Sequence, residues 1–140
     1  MKIIKIITHP LALIISFLLV IISGEHLGGF YLLYILLALP HGGIHSVLAV
    51  VGIIILLFNH YSLRDRLNLY TGIVLNFVGS LLLFLSLYYF FINDRHHYNY
   101  GTFYQTVPLI TIVLFVLLLV SFCGANLYRL LHSSATQQGR

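Results

Sequence analysis

Two histidines one helical turn apart, His41 and His45, are the residues best placed by spacing to do chemistry in this chain. They fall within a long apolar stretch, where an ionisable side chain is costly and usually has a purpose. With Ser46 and Asn76 they make up the expected polar site inside the apolar region. Such a pair is suited to three kinds of chemistry. It could relay protons, because imidazole titrates near neutral pH. It could hold a zinc-like ion, although such sites need a third and usually a fourth ligand. It could bind haem, although two residues on one face of one helix cannot take opposite axial positions, so a bis-His site would need His9 or a neighbouring subunit. The bland alternative is a neutral pair hydrogen-bonded to carbonyls loosened by Pro40, Gly42 and Gly43.

A second group lies between apolar stretches: Glu25 and His26 in one connection, Asp94, His96 and His97 in another. Carboxylate and imidazole are acceptable ligands for a divalent metal. They are equally ordinary on a solvated loop rich in Tyr98, Tyr100, Phe103 and Tyr104, which suits contact with a protein or with lipid headgroups. Motifs for nucleophilic catalysis, phosphate cradling or zinc hydrolysis are missing, so the sequence predicts neither a catalytic activity nor a resident cofactor.

The composition dictates the solvent. Hydrophobic residues make up 60% of the 140, charged residues only 7%, and the mean hydropathy is +1.02. Ordinary globular domains carry about 25% charged residues, and a chain this poor in charge cannot cover itself in water. The net charge of +4 is scattered over segment ends and forms no phosphate-binding stripe, so nucleic acid is excluded as a partner. One cysteine, Cys123, rules out an intrachain disulfide.

The elements that would position these residues are four apolar stretches, expected as membrane helices over about 3–23, 30–58, 69–92 and 107–131 in a single domain. A crossing takes about 20 helical residues. The first stretch follows Lys2 and Lys5 like a signal peptide. Its small-residue site after Gly24 has Ile22 at position −3, a poor fit to cleavage, so it is expected to stay as the first helix. The second stretch is too long for one straight crossing and contains Pro40-His41-Gly42-Gly43. It reads either as one kinked helix or as a hairpin of two half-helices. One kinked crossing puts Lys2, Lys5, Arg64, Arg66, Arg129 and Arg140 on one side and Arg95 alone on the other, as the positive-inside rule requires. The expected fold is therefore an all-α four-helix membrane bundle, N-in and C-in, kinked over Pro40–Gly43.

Small and polar residues form stripes on three of the helices: Ala38 to Gly52 on the second, Gly72 to Ser86 on the third, and His9, Ala12, Ser16 and Ser23 on the first. The fourth, unbroken Ile, Val, Leu and Phe from Ile112 to Val120, suits the periphery. The leading functional expectation is a non-catalytic accessory subunit of a membrane assembly, partnered by lipid and by other subunits or copies of itself. The alternatives are a proton, ion or small-ligand conduit through His41 and His45, and a haem or metal carrier. The Ile, Leu, Asn and Tyr bias without Trp points to an AT-rich genome, hence a bacterial cytoplasmic or an organellar inner membrane.

Overall fold

The computed structural model describes residues 7–24, 28–61, 68–94 and 96–138, with side chains as far as 132. It is mostly helical. Helix α1 (Pro10–Leu18) leads into strand β1 (Ile21–Ser23), which pairs antiparallel with β2 (Gly28–Phe30). Helix α2 (Tyr31–Ala38) continues through a 3-10 turn over Leu39–His41, and α3 (Ile44–Tyr61) follows. Then come α4 (Leu69–Ile92), the short α5 (Gly101–Tyr104) and the long α6 (Thr106–Gln138). Among the described residues three helices are long and apolar enough to cross a membrane: α3, α4, and α6 from Thr106 to His132.

Two expectations are corrected here. The first apolar stretch is not helical to Ser23, and the fold is not purely α: the helix stops at Leu18 and the chain becomes extended. Val20, Ile21 and Ile22 are β-branched, which favours a strand wherever a partner is available, and Gly28-Gly29-Phe30 supplies one. A strand edge away from water must satisfy its amides. The Thr111 hydroxyl accepts from the Ile21 amide at 3.0 Å, and that of Thr102 from the Ser23 amide at 2.9 Å. Each hydroxyl in turn donates to a carbonyl three residues earlier, Pro108 and Asn99.

The second correction concerns Pro40–Gly43, which reverses the chain and does not merely bend it. Gly42 takes φ 68°, and the Gly43 amide donates back to the Ala38 carbonyl at 3.1 Å, the signature of a helix stopped by a left-handed residue. A continuous helix would separate Tyr31 from His45 by about 21 Å. Their rings are 6.4 Å apart.

The core follows from the small-residue stripes of α3 and α4. Ser46, Ala49 and Gly52 are buried on one helix, and Gly79, Ser80 and Ser86 on the other. At Gly52 and Gly79 the backbones approach so closely that a Cβ built on Gly79 would lie 2.7 Å from Leu56 Cγ. Around this seam Leu13, Phe17, Leu56 and Leu83 are wholly enclosed, and Phe115 and Phe122 of α6 are nearly so. The opposite face of α6 stays bare, with Val107, Ile110, Leu117 and Val120 each about 60% exposed.

Candidate functional site

Polar residues gather at two places, one near each end of the α3–α4 pair. The first is built on Tyr31. Its ring is completely buried against Phe17 and Phe90, at 5.3 and 5.2 Å between centroids, and its hydroxyl meets Ser86 at the backbone carbonyl and at Oγ, 3.1 and 2.9 Å away. Ser86 Oγ donates to the His45 carbonyl at 2.7 Å. The His45 ring sits edge-on to Phe90 at 5.3 Å, and its Nε2 is buried without a hydrogen-bond partner among the described residues.

The predicted intramembrane site does not assemble. His41 lies exposed in the 3-10 turn with Nδ1 against the Leu37 carbonyl at 3.0 Å, while His45 has entered the next helix. The i, i+4 relation needed a helix running through Gly42, and the reversal removes it. Ser46 is buried and donates to the Gly43 carbonyl at 2.6 Å, a local bond within the first turn of α3. Asn76 lies ten positions before Ser86 on α4, about 15 Å away along the helix.

The loop candidates do not converge either. Glu25 and His26 lie outside the described residues. The Asp94 carboxylate accepts the Asn99 amide at 2.7 Å and so organises the turn. His96 and His97 are exposed, the latter at φ 58° with its ring 4.4 Å from that of Tyr100. Among the described residues no three His, Cys, Asp or Glu side chains are grouped as a metal site would need.

The second polar place was not anticipated as a unit. Asn59 near the end of α3 donates to the Gly72 carbonyl at 2.8 Å and to Asn76 Oδ1 at 2.7 Å. Asn76 donates to Asn126 Oδ1 at 2.8 Å, and Asn126 donates to the Phe122 carbonyl at 2.8 Å. Three long helices are thus tied by one chain of carboxamides. Beside it the His9 ring stands edge-on to His60 at 4.5 Å. His9 also caps α1: Nδ1 accepts the Leu11 amide at 3.2 Å, and a ring nitrogen that accepts carries no proton, so the proton sits on Nε2. Pro10 at the first helical position has no amide to satisfy.

These groups line a half-open cavity of about 440 Å³, with Asn68 and Arg129 at its edge. Asn68 caps α4 by accepting the Thr71 amide at 2.8 Å. Tyr61, Tyr70 and Tyr128, each more than 60% exposed, belong to the same end of the bundle.

Comparison with family models, curated proteins and solved structures gives no match.

The functional reading therefore rests on geometry. Sequence signals for the second site existed in Asn59 and Asn126, both carboxamides inside or bordering apolar stretches. Their alignment with Asn76 depends on helix register, which composition does not supply. Between the two polar places the bundle is filled by Leu56, Leu83, Phe17 and Phe122, each no more than 2% exposed. Close-packed hydrocarbon thus separates the polar groups at one end from those at the other, with the buried Ser80 hydroxyl set singly among it.

Proposed function

We propose that this chain is a non-catalytic integral membrane protein of four crossings, both termini on the inner side, serving as an accessory subunit of a larger membrane assembly. The observation that carries the reading is the sealed interior. A conduit needs a continuous polar or hydrated path, and the closed seam between Ser86 and Asn76 offers a single buried hydroxyl, Ser80 Oγ, with no hydrogen-bond partner among the described residues. The polar side chains largely bond one another and tie the helices together, which is how polar residues serve membrane bundles. What is left to act outward is surface.

The four-crossing topology draws support from two contacts. His9 against His60 brings the start of α1 to the end of α3, while Ser23 against Thr102 brings the end of β1 to the connection before α6. Residues 9–23 thus traverse the bundle, first as helix and then as extended chain ending in strand. Whatever the path through β2, α2 and Gly42, His60 stands beside His9, so α3 runs antiparallel to residues 9–23 and toward the end where Arg129 lies. This leaves the positive-inside split of the basic residues intact.

Purification in mild detergent tests the assignment: co-isolation of a stoichiometric partner or a defined homo-oligomer is expected, and a stable monomer that never co-isolates with anything overturns it. One observation favours a second reading, proton transfer, namely the unpartnered Nε2 of His45. Proton flux into liposomes that is abolished by His45→Gln would establish it. Flux unchanged by that substitution would eliminate it.

A further inference from the structure

We infer that the cavity at the inner end of the bundle binds a phosphate group, presented there by an anionic lipid headgroup. The inference goes beyond the accessory role and does not depend on it, but it takes from the proposed topology which end is inner. The described lining contains one formal charge, Arg129, and no carboxylate. The guanidinium fork fits phosphate oxygens in a bidentate manner.

Hydrogen-bond accounting shows what else the cavity can give. A carboxamide has two N–H hydrogens. Both of those on Asn59 are used within the ladder, on the Gly72 carbonyl and Asn76, whereas Asn76 and Asn126 each spend one. One amide hydrogen therefore remains on each of the latter two, held in place by the bonds the first makes. His9 contributes Nε2–H, fixed by the bond at Nδ1. The N-terminus of α4, at Asn68 and Leu69, borders the same space and adds the positive end of its dipole. A rigid set of donors around one cation recognises an oxyanion and has little to offer a cation.

Depth identifies the source of that oxyanion. Exposed Tyr61, Tyr70 and Tyr128 surround this end, and amphipathic rings settle at the headgroup level of a bilayer. Phosphates of lipid are concentrated at that depth, and basic pockets between membrane helices on the inner side are suited to hold them.

The test uses the full chain purified in a neutral detergent, with short-chain phosphatidylglycerol, short-chain phosphatidylcholine and inorganic phosphate as probes. Retention is followed by native mass spectrometry and the thermal midpoint by circular dichroism. Phosphatidylglycerol is expected to be retained and to raise the midpoint. Arg129→Gln is expected to weaken it roughly tenfold, and Arg129→Lys by much less. Arg129 is exposed, so neither substitution threatens the fold. Displacement of the lipid by inorganic phosphate would keep the phosphate site and assign it to a soluble source. Absence of saturable binding to either phosphate probe would overturn the inference. So would equal retention of the zwitterionic lipid, or retention indifferent to Arg129→Gln.

Discussion

The ring of His9 lies edge to face against that of His60, 4.5 Å away and 51 positions on in sequence. This contact ties the start of α1 to the last turn of α3 and makes the two run in opposite directions. It makes the two ends chemically distinguishable. In a Cys123→Ala background, Thr8→Cys and Tyr61→Cys should be labelled by an impermeant maleimide from one side of a sealed vesicle. Tyr104→Cys, at a position 86% exposed, should be labelled from the other. Labelling of the first two from different sides would refute the arrangement.

The carboxamide ladder should behave as one unit. Asn76 makes bonds in both directions, so Asn76→Ala breaks two links and leaves Asn59 and Asn126 each short of a partner. Individual interhelical hydrogen bonds in membranes contribute about 0.6 kcal/mol, and orphaned buried polar groups cost more. A loss of about 1–2 kcal/mol is expected in reversible detergent unfolding. The double variant Asn59→Ala/Asn76→Ala should lose less than the sum of the singles, since both act on one network. Strict additivity would show that the ladder does not couple the helices.

Gly79 is where α3 and α4 tolerate least. A Cβ there would press on Leu56 at Cγ and Cδ2, 2.7 and 2.9 Å away, and both atoms belong to a side chain with no free space around it. Gly79→Val should destabilise by about 1–3 kcal/mol, the usual cost of overpacking. Gly124 on α6, with nothing within 4 Å of its would-be Cβ, is the control, and Gly124→Ala should be neutral or slightly stabilising. Equal effects at both positions would refute the close approach of α3 and α4.

The reversal after α2 depends on a left-handed residue. Gly42→Ala places a Cβ at φ 68° and should cost about 1–2 kcal/mol, although space around it is open. Asn visits this conformation more readily, so Gly42→Asn should cost less. The same unfolding assay ranks the three side chains. Alanine equal to glycine would mean that the turn takes another form.

Much of the long-helix framework is readable because hydropathy and polar flanks suffice for it. Asn68 and Asn93 bracket a strongly hydrophobic run with no charged residue, and α4 begins and ends beside them. The shorter pieces were hidden because hydropathy is indifferent to backbone shape: Val20-Ile21-Ile22 is as apolar in a strand as in a helix. Nor does it register direction. Tyr31 to Leu39 and Ile44 to Phe58 look like one segment until Gly42 turns the chain. The His41–His45 site failed for that reason, since its spacing presumed the helix that the glycine interrupts. The Asn59–Asn76–Asn126 ladder escaped notice for a different one. It joins residues up to 50 positions apart, and only the packing of three helices brings them to the same height.

Parity is the consequence of the excursion through β2 and α2. Residues 9–23 and α3 run in opposite directions, since His9 meets His60, so the chain inverts an odd number of times between them: at the β1–β2 hairpin, at Gly42, and once more where β2 passes into α2. Lengthening or shortening any of these turns would reshape one rim of the molecule. Such changes would leave α4 and α6 pointing as they do now.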